Sequence, residues 1–235
     1  MAALLIAGTD TDVGKTFVTI ALAAYWQQYL SQRLLGIFKL IQTGIGDAER
    51  YHSLFSESET VEIIVPQRFA TPVAPPIAAA KESKTIELDK IWQKLQLLRQ
   101  KSDLTLIESL GGLGSPVTDE LTVGNIAADW HLPTVLVVPV KLGAISHTVA
   151  NVALARSLNL DLQGIILNCF QPEAEAKIED LTPIHLIQGL TQVPVIGTLP
   201  YLEDLADRQK IAAIVANWDL ELILPSVVLQ NIDLY

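Results

Sequence analysis

Short aliphatic and β-branched runs recur along the chain at residues 3–7, 35–40, 104–108, 134–140, 163–167 and 195–199. Each is near-continuously apolar rather than alternating, the pattern of a strand covered on both faces. Between them, residues 15–29, 88–101, 122–130, 145–158 and 178–190 carry apolar side chains at three- and four-residue spacing, which predicts helices. The alternation predicts an α/β architecture, a mostly parallel β-sheet flanked by helices on both faces in three α/β/α layers. Trp26, Trp92 and Trp130 fall in the helical segments and are expected in the core. No internal repeat, low-complexity tract or long linker interrupts the pattern, so one domain over residues 1–235 is expected. Two stretches stand apart. Residues 65–76 contain Pro66, Pro72, Pro75 and Pro76 and predict a loop that keeps its shape without a helix. The stretch after Asp219 reads equally as an edge strand or as a tail packed on the surface.

Composition narrows the function classes. The 235 residues are 50% apolar and 18% charged, with a net charge of −10, which is globular rather than disordered. The acidic balance argues against a nucleic-acid partner, which would want a basic face. No membrane partner is expected either. The opening apolar run has no preceding Lys or Arg and breaks at Gly8-Thr9-Asp10, so it does not read as an export signal. The run at 132–140 is cut by Pro133 and Pro139 and falls short of the ~20 residues that span a bilayer. Cys169 is the one cysteine and cannot form an internal disulfide, which predicts an intracellular, cytoplasmic protein. His52, His131, His147 and His185 are scattered without metal-ligand spacing, so a zinc site is not expected.

The most informative segment is Gly8-Thr9-Asp10-Thr11-Asp12-Val13-Gly14-Lys15-Thr16, between the first predicted strand and the first predicted helix. A phosphate needs backbone N–H groups converging on it, and a glycine-bearing loop at a helix start supplies them. Lys15 would reach the β- and γ-phosphates, and the Thr16 hydroxyl would ligate Mg²⁺. Five residues, rather than the usual four, separate the first Gly from the Gly-Lys pair. A Gly-Lys-Thr also arises by chance at helix starts, but the preceding strand and following helix favour a P-loop nucleotide-binding fold.

Other candidates sit where predicted strands end. Lys39 ends the second strand, at the edge of an open sheet where ligands collect, although a lysine there is also an ordinary surface residue. Glu108 ends the run that starts at Leu104, and Asp47 lies in a segment the pattern does not place. With Thr16 they form a set of hard oxygen donors suited to Mg²⁺; a solvated strand end is the plainer reading of Glu108. Asn168 could read an adenine edge with its amide, with Pro200, Tyr201 and Leu202 walling the base; Asn after a strand is equally a turn residue. Residues 142–144 would present free N–H groups at a helix start to a carboxylate, or Gly143 is merely a helix-entry glycine.

The loop at 8–16, together with Lys39-Leu40-Ile41-Gln42-Thr43-Gly44, Asp47-Ala48, Ile107-Glu108-Ser109-Leu110-Gly111-Gly112, Lys141-Leu142-Gly143-Ala144-Ile145-Ser146-His147, and the 164–168 and 196–200 segments, resembles the dethiobiotin synthetase family. Leu40 stands where that family usually has Pro. Ser109-Leu110 replace a Gly-Ala pair where glycine would permit close backbone approach. The resemblance implies an ATP- and Mg²⁺-dependent ligase of biotin biosynthesis, whose partners are 7,8-diaminononanoate, CO2 or bicarbonate, and ATP. It implies Lys15 and Lys39 as the catalytic cations. ATP contacts are then expected from Asp12, Val13, Gly14, Lys15, Thr16, Phe17, Asp47, Glu108, Asn168, Pro200, Tyr201 and Leu202. Substrate contacts are expected from Thr11, Thr43, Leu142, Gly143 and Ala144, the last three across a homodimer interface that holds the carboxylate tail. The second reading is a nucleotide switch of the partition or septum-positioning type. Such proteins usually carry an extra lysine beside the first glycines of the loop, and residues 8–13 contain none. A small-molecule kinase would want a lid bearing arginines, and Arg33, Arg50, Arg68, Arg99, Arg156 and Arg208 are dispersed.

Overall fold

Seven strands lie parallel in one sheet within residues 2–224, the part of the chain that the computed structural model describes. The first half of the chain runs β1 (Ala2–Gly8), α1 (Lys15–Tyr29), β2 (Leu35–Lys39), β3 (Gln42–Thr43), α2 (Asp47–Phe55), β4 (Val61–Ile64), β5 (Arg68–Phe69), α3 (Pro75–Lys81) and α4 (Leu88–Lys101). The second half runs β6 (Leu104–Gly112), α5 (Val123–Asp129), β7 (Thr134–Pro139), α6 (Ala144–Ser157), β8 (Leu162–Asn168), α7 (Ile178–Leu181), α8 (Ile184–Thr191), β9 (Val195–Leu199) and α9 (Arg208–Val215). The main sheet has the order β4-β2-β6-β1-β7-β8-β9, and β3 pairs with β5 in a separate two-residue ladder.

Strand side chains divide by parity between two apolar layers. Leu5, Ala7, Phe38, Ile107, Leu136 and Val138 pack with residues of α3, α4, α5, α6 and α8. Leu4, Ile6, Ile37, Leu106, Val135 and Val137 pack with residues of α1, α2 and α9. Because both faces are covered, the strands are apolar at consecutive positions, which is why they were legible as unbroken runs. Helix α1 is buried nearly all round, lying between the sheet and α9. Trp26 is fully buried, while Trp92 and Trp130 pack partly buried on the other layer with ring centroids 4.9 Å apart.

The sequence pattern and the structure differ at several elements. The helix expected over 178–190 is two helices, broken at Thr182-Pro183, because the residue before a proline is driven out of the helical region. Residues 65–76 are not wholly loop: they contain β5, and Pro75-Pro76 open α3, where missing N–H groups cost nothing. Strand β4 and helices α2 and α9 were not anticipated; β4 is a half-buried edge, and α2 buries only Ala48, Tyr51 and Phe55. After Asp219 a short 3-10 turn, Leu220–Leu222, packs Leu220, Ile223 and Leu224 into the α1/α9 layer rather than adding a strand. The remainder of that stretch lies outside the described residues. No helix among the described residues is long and apolar enough to cross a membrane.

Trp218 closes this last turn over Gly197 of β9, with its indole N–H donating to the Thr198 carbonyl at 3.2 Å. A Cβ on Gly197 would fall 2.3 Å from Trp218 Cγ. Gly197→Ala is therefore expected to cost about 1–3 kcal/mol through over-packing, read as a lowered urea midpoint. An unchanged midpoint would show that Trp218 moves freely.

Candidate active site

A parallel sheet brings the carboxyl ends of all its strands to one edge, and the order here sets β1 between β6 and β7. The turn from Gly8 to Gly14, Lys39 of β2, residues 108–112 of β6 and Asn168 of β8 consequently share that edge. Residues of that turn, Lys39, Glu108, Leu110 and Gly111 line a cleft of about 480 Å³. Gly14 caps α1 in a left-handed conformation, φ 94°, and a Cβ there would meet Asn168 Nδ2 at 2.0 Å, so only glycine fits. Asn168 Nδ2 donates to the Val13 carbonyl at 3.1 Å and ties the loop to β8.

At the cleft floor is a cluster of charged and polar side chains. Lys39 and Glu108 are register partners on adjacent parallel strands. Lys39 Nζ lies 2.9 Å from Glu108 Oε1 and 2.5 Å from Asp47 Oδ2. The Thr16 hydroxyl is 2.8 Å from both Asp47 Oδ1 and Glu108 Oε1. The Tyr51 phenol donates to Glu108 Oε2. Burial works against charge on Lys39, but the Glu108 and Asp47 carboxylates outweigh it and raise its pKa. Burial likewise opposes ionisation of Asp47, and Lys39 reverses the balance and lowers its pKa. Burial and the neighbouring Glu108 push Tyr51 well above the ordinary tyrosine range, so it remains a donor. Lys15 differs. Its ammonium donates to the Asp10 carbonyl at 3.0 Å, and burial brings its pKa down to about 8, partly offset by Glu108.

Helix α2 is what delivers Asp47. The buried Gln42 side chain accepts from Ala48 N–H at 3.0 Å and donates to the Gly44 carbonyl at 3.2 Å and to Glu49 Oε2 at 3.0 Å. Glu49 in turn accepts from Gly46 N–H at 2.8 Å, which closes the N-terminus of α2. Thr16, Asp47 and Glu108 thus present three oxygen donors to one point beside the phosphate loop, a set that suits a hard divalent cation.

The cleft gathers Thr11, Asp12, Gly14, Lys15, Thr16, Phe17, Lys39, Thr43, Asp47 and Glu108. Val13 is beside it, but its side chain is in the core and only its carbonyl faces Asn168. Asn168, Pro200, Tyr201 and Leu202 line a second recess of about 50 Å³, joined to the first by Phe17 and Phe170, which line both. Leu142, Gly143 and Ala144 are not brought to this cleft. Leu142 is 86% exposed, and Gly143, φ 88°, heads α6 without a side-chain cap. Next to Ser109-Leu110, the two following glycines are the residues whose backbone approaches the phosphate loop and its neighbours closely. Gly111 has φ 52°, and a Cβ on Gly112 would lie 2.8 Å from the Thr9 carbonyl oxygen. Sequence reasoning missed Tyr51 and Arg50; both share the cleft-facing side of α2 with Asp47 by three- and four-residue spacing, a signal hidden until α2 is recognised.

The fold is that of the P-loop ATPases. A ParA family ATPase from Chlorobium tepidum TLS superposes with a TM-score of 0.56 at 14% identity, covering 94% of this chain and 96% of that one. MinD cell division protein from Aquifex aeolicus gives 0.55 at 13% identity, covering 96% and 92%. A family described as AAA domain matches residues 2–210. Sequence similarity is far more specific. ATP-dependent dethiobiotin synthetase BioD of Gloeothece citriformis (strain PCC 7424) is 58% identical over 96% of this chain and 100% of its own length. That of Synechocystis sp. (strain ATCC 27184 / PCC 6803 / Kazusa) is 49% identical over 93% of each. The chain belongs to the ATP-dependent dethiobiotin synthetase family.

Two outcomes follow from this geometry. Tyr51→Phe removes a buried donor to a carboxylate and is expected to cost about 1.5–3 kcal/mol in chemical denaturation; a loss below 0.5 kcal/mol would mean that Glu108 has other support. For Lys15 the folded pKa is depressed from 10.5 to about 8, so its burial destabilises the empty protein in full below about pH 8, and the penalty declines progressively as pH rises from there to the unfolded value of 10.5. Phosphate binding needs the charged form, so ADP affinity is expected to fall up to about tenfold per pH unit above pH 8, with proton uptake measurable by calorimetry in two buffers.

Proposed function

We propose that the protein is a dethiobiotin synthetase, which carboxylates 7,8-diaminononanoate and closes a cyclic urea at the expense of ATP, releasing ADP and phosphate. Family membership over nearly the whole chain carries this reading, and the cleft supports it. One amine of the diamine adds to CO2 and loses a proton, giving a carbamate. A carbamate oxygen attacks the γ-phosphorus and ADP departs. The second amine then attacks the carbonyl carbon of the mixed anhydride and expels phosphate.

Negative charge on carbamate and phosphate concentrates in one place, so the site needs fixed cations there. The Gly8–Gly14 turn would wrap the triphosphate, with the Lys15 ammonium on its β- and γ-oxygens. Lys39, kept protonated by Glu108 and Asp47, would face the carbamate and the transferred phosphoryl group. Thr43 would hydrogen-bond the diamine or carbamate, with Thr11 and Asp12 beside the amines. Thr16, Asp47 and Glu108 would hold Mg²⁺, which when bound neutralises phosphate charge. Asn168 and the Pro200-Tyr201-Leu202 wall would take the adenine. The chain would act as a homodimer, in which Leu142, Gly143 and Ala144 of the partner subunit meet the carboxylate tail. The lone Cys169 fits a reducing cytoplasm.

Incubation with ATP, Mg²⁺, bicarbonate and diaminononanoate is expected to yield dethiobiotin by mass, with ADP formation dependent on both co-substrates. Brisk ATP hydrolysis in the absence of the diamine would point to a nucleotide switch instead. Lys39→Met is expected to lower dethiobiotin formation at least a hundredfold while ADP still binds, as judged by calorimetry. Retained turnover in that variant would take Lys39 out of the mechanism.

A further inference from the structure

We propose that Arg50 is a nucleotide-binding residue whose guanidinium, held over the Phe17 ring, clamps the phosphate chain of ATP or ADP on the side nearest the base. The inference rests on the reading of the cleft as an ATP site. It adds a contact that comes from α2, not from the phosphate loop.

Arg50 is held by its neighbours on the helix. Asp47, one turn before it, is bonded to Thr16 at 2.8 Å, and Tyr51, the next residue, is bonded to Glu108. That face of α2 is therefore pinned against the first turn of α1. From there Arg50 Cζ sits 5.5 Å above the Phe17 ring, and both residues line the cleft. Phe17 follows Thr16 and also lines the second recess, which includes Asn168 and Tyr201. Arg50 thus lines the cleft that holds the Thr16 oxygen cluster, over the ring of Phe17 that continues into the second recess, and the inner phosphates of a nucleotide spanning the two would pass it.

The charge of Arg50 is uncompensated. Its guanidinium has no carboxylate within 4 Å among the described residues, whereas Arg68 pairs with Glu49 at 2.8 Å and Lys39 with two carboxylates. A guanidinium held over a ring can still turn its N–H edge outward, and that edge matches two oxygens of a phosphate. The ring also restrains a long side chain beforehand, which lowers the entropy lost on binding.

The test uses the full chain and calorimetric titration with ADP and, separately, with adenosine. Arg50→Met keeps the stem over Phe17 and removes the charge. It is expected to weaken ADP about tenfold and adenosine less than twofold, with a shallower salt dependence of ADP binding. Arg50→Lys is expected to fall between the two. Unchanged ADP affinity in Arg50→Met, or equal losses for ADP and adenosine, would overturn the proposal. Wild-type protein that binds ADP yet forms no dethiobiotin would refute the function proposed above and leave Arg50 standing. Wild-type protein that does not bind ADP would refute both.

Discussion

The buried ion pair between Lys39 and Glu108 is the constraint around which the site is built. Both side chains are almost wholly withdrawn from water, at 5% and 1% exposure, where an unpaired charge would cost several kcal/mol. Each offsets much of the other's desolvation cost, with Asp47 sharing Lys39 and with Thr16 and Tyr51 donating to Glu108. The pairing is possible because β2 and β6 are neighbours in register, placing the two side chains on the same side of adjacent strands. Thr16 and Asp47 bond into the same pair, and Tyr51 takes the second carboxylate oxygen. One electrostatic requirement therefore fixes the mutual positions of two strands and two helices.

That arrangement also divides the work between the two lysines. Lys39 is surrounded by acids and keeps its proton. Lys15 is buried against backbone, which brings its pKa down to about 8 and leaves it easier to deprotonate than Lys39. A polyanionic ligand gains more from a cation with no carboxylate partner than from one already paired, so the phosphate loop, not the cluster, is the stronger anion site in the free protein. The cluster instead holds its oxygens and ammonium in place beforehand, the condition under which charge developing in a reaction is stabilised without reorganisation.

The departures from the usual family pattern have local physical readings. Leu40, where proline is usual, has an N–H that donates to the Glu108 carbonyl at 3.0 Å and extends the β2–β6 ladder by one bond. The Ser109 carbonyl accepts from Lys39 at 3.3 Å, while its hydroxyl is buried without a hydrogen-bond partner. Leu110 forms part of the cleft wall. None of the three disturbs the Glu108 carboxylate, and the glycines that need close approach, Gly111 and Gly112, are retained.

Six strands of the main sheet, the long helices between them, the phosphate loop and the residues at strand ends were legible in the sequence, because strands buried on both faces write themselves as unbroken apolar runs and a tight anion-binding turn needs glycine at fixed places. Lys39 and Glu108 could be picked out as strand-terminal residues, but nothing in a linear pattern says that residues 69 positions apart are register partners. Helix α2 escaped notice for the same reason. Its short face is committed to Thr16, Glu108 and Phe17, partners that exist only after the chain has closed. Propensity and periodicity are local properties and sufficed for the buried strands and the long helices, not for the half-buried edge strand β4 or the short helix α2. Pairing, desolvation and the placing of Tyr51 and Arg50 depend on distances through space, which the sheet order alone decides.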